Sequence, residues 1–138
     1  MQPISDLSSL LKSMQPELNP GTYLYATLSS DQTVLVSDLV SLIREPEGVS
    51  VIVSEADAER LGLKAVFRCA WITLTVNSDL QAVGLTAAFS TALGRAGISC
   101  NVVAGTNHDH IFVPVGQAQA AMQALHALQS HAAAQERR

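Results

Sequence analysis

Apolar positions recur along this chain at two different periods, and the switches between them mark where elements begin and end. In "ISDLSSLLKSM", Ile4, Leu7, Leu10, Leu11 and Met14 return every third or fourth residue and line one side of a helix. Pro16, Asn19, Pro20 and Gly21 stop it. "TYLYATLS" then alternates, with Leu24, Ala26 and Leu28 on one face of a strand. A variable stretch and the turn "REPEG" lead to "VSVIV", where Val49, Val51 and Val53 point inward. "SEADAERLGL" follows as a helix: Ser54 suits its N-cap, acidic residues favour its first turn, and Gly62 ends it.

The run "AVFRCAWITLTV" is extended, with Ile72, Leu74 and Val76 facing one way and Thr73 and Thr75 the other. Leu85, Ala88, Phe89, Ala92, Leu93 and Ala96 restore the helical period until Gly97. "ISCNVVAG" and "HIFVPV" read as strands joined by "TNHD", and "GQAQAAMQALHAL" as a helix burying Ala118, Ala121, Met122, Leu125 and Leu128. The tail after it is expected to continue that helix and fray. Residues 4–62 thus give α-β-β-α, and residues 80–128 give α-β-β-α again. The joining run 65–76 is about twice an ordinary strand length. It is expected to serve both halves, its start completing the first sheet and its end opening the second.

Both faces of "HIFVPV" are apolar, with Phe112 opposite Ile111, Val113 and Val115. A single layer of helices would leave Phe112 in water, so a second sheet or subunit is expected to cover it. That points to a homodimer.

Composition narrows the function. Hydrophobic residues make up 48% of the chain and charged residues 14%, enough apolar material for a packed domain and too little charge for a disordered one. The net charge is -4, and the basic residues form no stripe that would follow a phosphate backbone, which argues against nucleic acid. No secretory leader is expected at the N-terminus, and the uncharged span 80–94 contains Gln, Ser, Thr and Gly and is too short to cross a bilayer. Cys69 and Cys100 make no C-x-x-C pair, as suits a reducing cytoplasm.

A strand, a short loop, a glycine at the head of a helix and "AGI" running into a second strand make up "WITLTVNSDLQAVGLTAAFSTALGRAGISCNVVAG". With "HDHIFVPV" downstream, this stretch resembles the ACT domain, and in particular small bacterial ACT-domain proteins. The resemblance covers residues 67–128, and residues 1–66, with "LNPGTY" and "REPEG", resemble a more divergent first half. It implies an α+β protein of two ferredoxin-like (βαββαβ-type) halves, with antiparallel sheets and helices on one face. The halves are 1–66 and 67–130, and 131–138 form a tail. It also implies a regulatory protein that binds an amino acid or other small effector between domains, without catalysis and without a cofactor. Val83 stands before Gly84 where many ACT domains have proline, and the loop from Asn77 is longer. No strand follows the last helix, so the second half must borrow an edge from the first or leave one exposed.

The candidate ligand-binding residues are Asp79, Val83, Gly84, Leu85, Asn101, His108 and His110. A helix starting near Gly84 offers free backbone N–H groups to a carboxylate, glycine permits close approach, and Asp79 would meet an ammonium group. The alternative is that Asp79 only caps the helix and Gly84 only permits packing. Alternation points Cys100 into the core, where a thiol is inert. His108 and His110, if extended, share a face, and Asp109 points away from them. H-x-H alone lacks the ligand count of a zinc site, and His126 and His131 lie on or beyond the last helix. Three classes therefore remain: an amino-acid sensor, a metal-dependent or acid–base enzyme using His108, Asp109 and His110, and an interaction module without a ligand. Trp71 is expected to pack where the halves meet, and Glu45 and Glu47 to belong to a charged turn.

Overall fold

The computed structural model describes residues 6–76 and 80–136. In chain order the elements are α1 (Leu7–Ser13), β1 (Pro16–Leu18), β2 (Tyr23–Leu28), β3 (Ser41–Glu45), β4 (Gly48–Ser54), α2 (Glu55–Leu61), β5 (Phe67–Leu74), α3 (Leu85–Arg95), β6 (Asn101–Ala104), β7 (Asp109–Pro114) and α4 (Ala118–Glu136). Local chemistry sets their ends. The Ser54 hydroxyl accepts from the Asp57 amide at 3.1 Å to cap α2, and Gly62 ends that helix at φ +69°. Asp6 caps α1 through the Ser9 amide at 3.0 Å.

The strands form one antiparallel sheet in the order β3-β4-β2-β5-β7-β6, and β1 lies alongside β5 beyond the end of β2. Register explains why β5 is long. Phe67, Arg68 and Cys69 pair with β2, and Cys69 to Leu74 pair with β7. β5 is therefore the last strand of a β2-β3-β4-α2-β5 unit and the first of a β5-α3-β6-β7-α4 unit. The place beside β5 that a sixth element of the second half would fill is taken by β2 and β1. The edge is borrowed from the first half.

The sequence pattern missed β3, which lies in what reads as a variable stretch before "REPEG". Its outer positions are polar or exposed, with Leu42 and Ile43 half exposed, so no buried face marks the alternation. The strand forms because β4 needs a hairpin partner, from Ser41 opposite Ile52 to Glu45 opposite Gly48.

All helices pack on one face. Leu24 lies opposite Arg68, which puts Leu24, Ala26 and Leu28 on the same side as Ala70, Ile72 and Leu74. Under α1, α3 and α4 the large core gathers Leu10, Met14, Ile72, Leu74, Phe89, Leu93, Ile111 and Leu125, all fully buried. α2 covers a smaller core of Leu24, Ala26, Val51, Val53 and Ala58.

The helix-free face carries Tyr23, Tyr25, Phe67, Trp71 and Phe112, and here one expectation needs correction. Phe112 is 0% exposed without any second sheet or subunit. The sheet curls on itself, so that Ile52, Tyr25, Trp71, Val40 and Val103 of the same chain enclose it. Trp71 does sit where the halves meet: its ring stacks on Phe112 at 6.2 Å and receives the edge of Tyr23 at 5.1 Å.

Candidate functional site

The head of α3 is where the effector chemistry was expected. Gly84 stands at its N-cap with φ +104°, a conformation L side chains rarely adopt, and no side chain caps the helix. Val83 and Leu80 are exposed, at 83% and 65%. A Cβ on Gly84 would meet Leu7 Cδ2 at 3.0 Å, so the glycine also admits α1 against the helix start. Leu85 turns its side chain into the large core and leaves only its backbone at the mouth. Asp79 lies outside the described residues.

The remaining expected residues stand elsewhere. Asn101 opposes Phe112 across the β6–β7 ladder, and Val103 opposes His110, so Asn101 and His110 belong to the helix-free face. His108 precedes β7, and its Nδ1 lies 3.4 Å from the Val76 carbonyl. Asp109 opposes Leu74 on the helix side and is 8% exposed; burial raises its pKa against the lowering effect of His110 and His108. The two imidazoles and the carboxylate between them thus have separate surroundings. Among the described residues, no three His, Cys, Asp or Glu side chains are placed to hold a metal ion.

His110 is held by its neighbours. Trp71 Nε1 donates to its Nδ1 at 3.0 Å, and Thr73 Oγ1 lies 3.2 Å from the same nitrogen. The indole N–H can only donate, so Nδ1 is the bare acceptor and the ring proton sits on Nε2. Asn19 Nδ2 in turn donates to Thr73 Oγ1 at 2.9 Å. Burial, aided by His108, pulls the His110 pKa down, with Asp109 opposing. Cys69 is fully buried and its thiol is pushed up to about 11; burial also raises Cys100, which removes both as nucleophiles.

Between the β3 and β6 edges the curled sheet leaves a cleft of about 220 Å³, lined by Tyr25, Ser41, Ile43, Ser50, Ile52, Asn101 and Val103 among others. A recess of about 40 Å³ adjoins it, sharing Ser41 and Val103 and reaching Trp71, His110 and Phe112. Burial pushes the Tyr25 phenol up to about 12, so it stays a neutral hydroxyl. Of this cleft the sequence reading found only Asn101, with His110 in the recess. The signal it lacked was β3, whose pairing brings Ser41 and Ile43 to the face of Ile52 and Tyr25.

A curled antiparallel sheet of two interlocked ferredoxin-like units with helices on one face is the architecture of a tandem ACT protein. Family models described as ACT domain match residues 2–70 and 66–127, and this chain belongs to the ACT-domain family. A Vibrio cholerae protein described as of unknown function and a possible transport protein is 44% identical, with TM-score 0.75, covering 89% of this chain and 95% of its own. The ligand-free regulatory subunit of aspartate kinase from Thermus thermophilus shares the fold at 14% identity and TM-score 0.60, covering 85% of this chain and 98% of its own. An Agrobacterium tumefaciens protein does so at 16% identity and TM-score 0.64, covering 84% and 89%. No curated protein matches the chain. Among the described residues, no helix is long and apolar enough to cross a membrane.

Proposed function

We propose that this protein is a non-catalytic sensor that binds an amino-acid-like effector at the head of α3. The observation that carries the reading is the start of that helix. It begins at a positive-φ glycine, lacks a side-chain cap, and is flanked by exposed Leu80 and Val83 and by Leu7. First-turn amides there suit a carboxylate, and the apolar side chains suit an aliphatic or aromatic effector side chain. Asp79 is assigned to the ammonium group on its sequence position. The tandem ACT architecture and the likeness to a regulatory subunit support the regulatory role.

A catalytic role for His108, Asp109 and His110 has less support, because their side chains have separate partners and surroundings. The homodimer belongs to the same proposal. β3 is an open sheet edge beside exposed Leu42, a surface that a second copy could pair. A cytoplasmic setting accords with the two free cysteines.

Thermal shift of the full chain against the twenty amino acids tests the sensor reading. One amino acid should raise the melting temperature, and Val83→Asp, which sets a negative charge beside the effector carboxylate, should remove the rise. Stabilisation by zinc or nickel instead, or by no amino acid, contradicts it.

A further inference from the structure

The cleft between β3 and β6 carries a second binding chemistry, distinct from the helix mouth and on the opposite face of the sheet. Tyr25, Ile43, Ile52 and Val103 give it a largely apolar lining. Tyr25 meets Phe112 edge-to-face at 5.9 Å, so the lining continues an aromatic layer that reaches Trp71. None of the side chains lining the cleft carries a charge. The Ser50 hydroxyl, which lines the cleft, donates to the Glu45 carboxylate, so an anion approaching Ser50 meets like charge. The Ser41 hydroxyl and the Asn101 side-chain amide also line the cleft, and neither makes a side-chain hydrogen bond to a described residue.

We infer that this cleft binds a small neutral aromatic molecule, of indole or phenol size, whose one polar group meets Ser41 or Asn101. A volume of about 220 Å³ falls below the range of about 300–1,000 Å³ usual for drug-sized ligands, which sets the size class. The ring packs against Ile43, Val103 and Tyr25, where aromatic edges and faces are the favoured contacts. A charged group would lose its hydration there with no counter-charge to replace it.

The test is a ¹H–¹⁵N NMR titration of the full chain with indole and, separately, with indole-3-acetate. Indole should shift the amides of Ser41, Ile43, Asn101 and Val103 saturably, and indole-3-acetate should bind more weakly. Val103→Phe, which fills the cleft, should abolish the indole shifts. Asn101→Ala, at an exposed position, should leave the melting temperature in place and weaken binding by roughly threefold to tenfold, the loss of one neutral hydrogen bond. The inference is overturned if indole produces no saturable shift, shifts only the Gly84 region, or binds no better than indole-3-acetate. Equal indole affinity in Val103→Phe and the parent protein overturns it too.

Discussion

Trp71 Nε1 donates to His110 Nδ1 at 3.0 Å across the β5–β7 ladder, diagonally, two residues along β5 from Thr73, the direct partner of His110. The bond ties the strand shared by the two halves to the strand that carries the HDH segment. It requires His110 to be neutral, because a protonated Nδ1 would face the indole N–H donor to donor.

That requirement sets a pH dependence. The folded pKa of His110 lies below the ordinary imidazole value of 6.5, so below about pH 6.5 the unfolded chain takes up a proton that the folded chain resists. Stability is then full above that pH and declines as pH falls toward the folded pKa. Buried Asp109, whose pKa is raised, acts with the opposite sign: its contribution is present below its ordinary value and lost as pH rises through the folded one. Urea melts between pH 7.5 and 5 should show the decline, and His110→Gln should flatten it. An NMR titration midpoint for His110 at or above 6.5 would contradict this.

Trp71→Phe keeps a ring in the aromatic layer but removes the donor. It should destabilise by about 1–3 kcal/mol and raise the His110 midpoint, since the neutral tautomer loses its partner. A loss of stability without movement of the midpoint would mean that the bond does not set the protonation state.

Phe89 on α3 is 0% exposed between the sheet and the other helices. Phe89→Ala should cost about 3–5 kcal/mol, measured by chemical denaturation. A loss below about 1 kcal/mol would mean that the large core does not hold this helix.

Two glycines should respond with opposite signs. Gly62 ends α2 at φ +69° with open space around it, so Gly62→Ala should destabilise by about 1 kcal/mol through backbone strain alone. Gly94 lies within α3 at an ordinary helical angle, also with nothing within 4 Å, so Gly94→Ala should stabilise by about 0.4–1 kcal/mol. Thermal melts of both variants check the pair.

The helices and the long strand were legible because each buries a one-sided apolar set: Leu85, Phe89 and Leu93 on α3, Ile72 and Leu74 on β5. Ser54 and Gly62 were legible as caps because their chemistry is local. β3 was hidden because an edge strand with both faces partly exposed has no periodic burial to display. The cover over Phe112 was hidden for a related reason. Sheet curl comes from the accumulated twist of many pairs and leaves no mark on any single segment. Within "GISCNVVAGTNHDHIFVPVG" alternation was enough to set Asp109 on the face away from His110, but the cleft that Asn101 enters is made by a distant edge strand and leaves no mark on the segment itself.

Isothermal titration of the full chain with each of the twenty amino acids, run beside Val83→Asp, addresses the sensor reading most directly. Val83 is 83% exposed, so the variant should fold as the parent does. The account predicts saturable heat from one amino acid or a closely related group, weakened about tenfold or more in the variant, a difference of about 1.4 kcal/mol. Absence of heat from every amino acid, or identical binding by the two proteins, would contradict it.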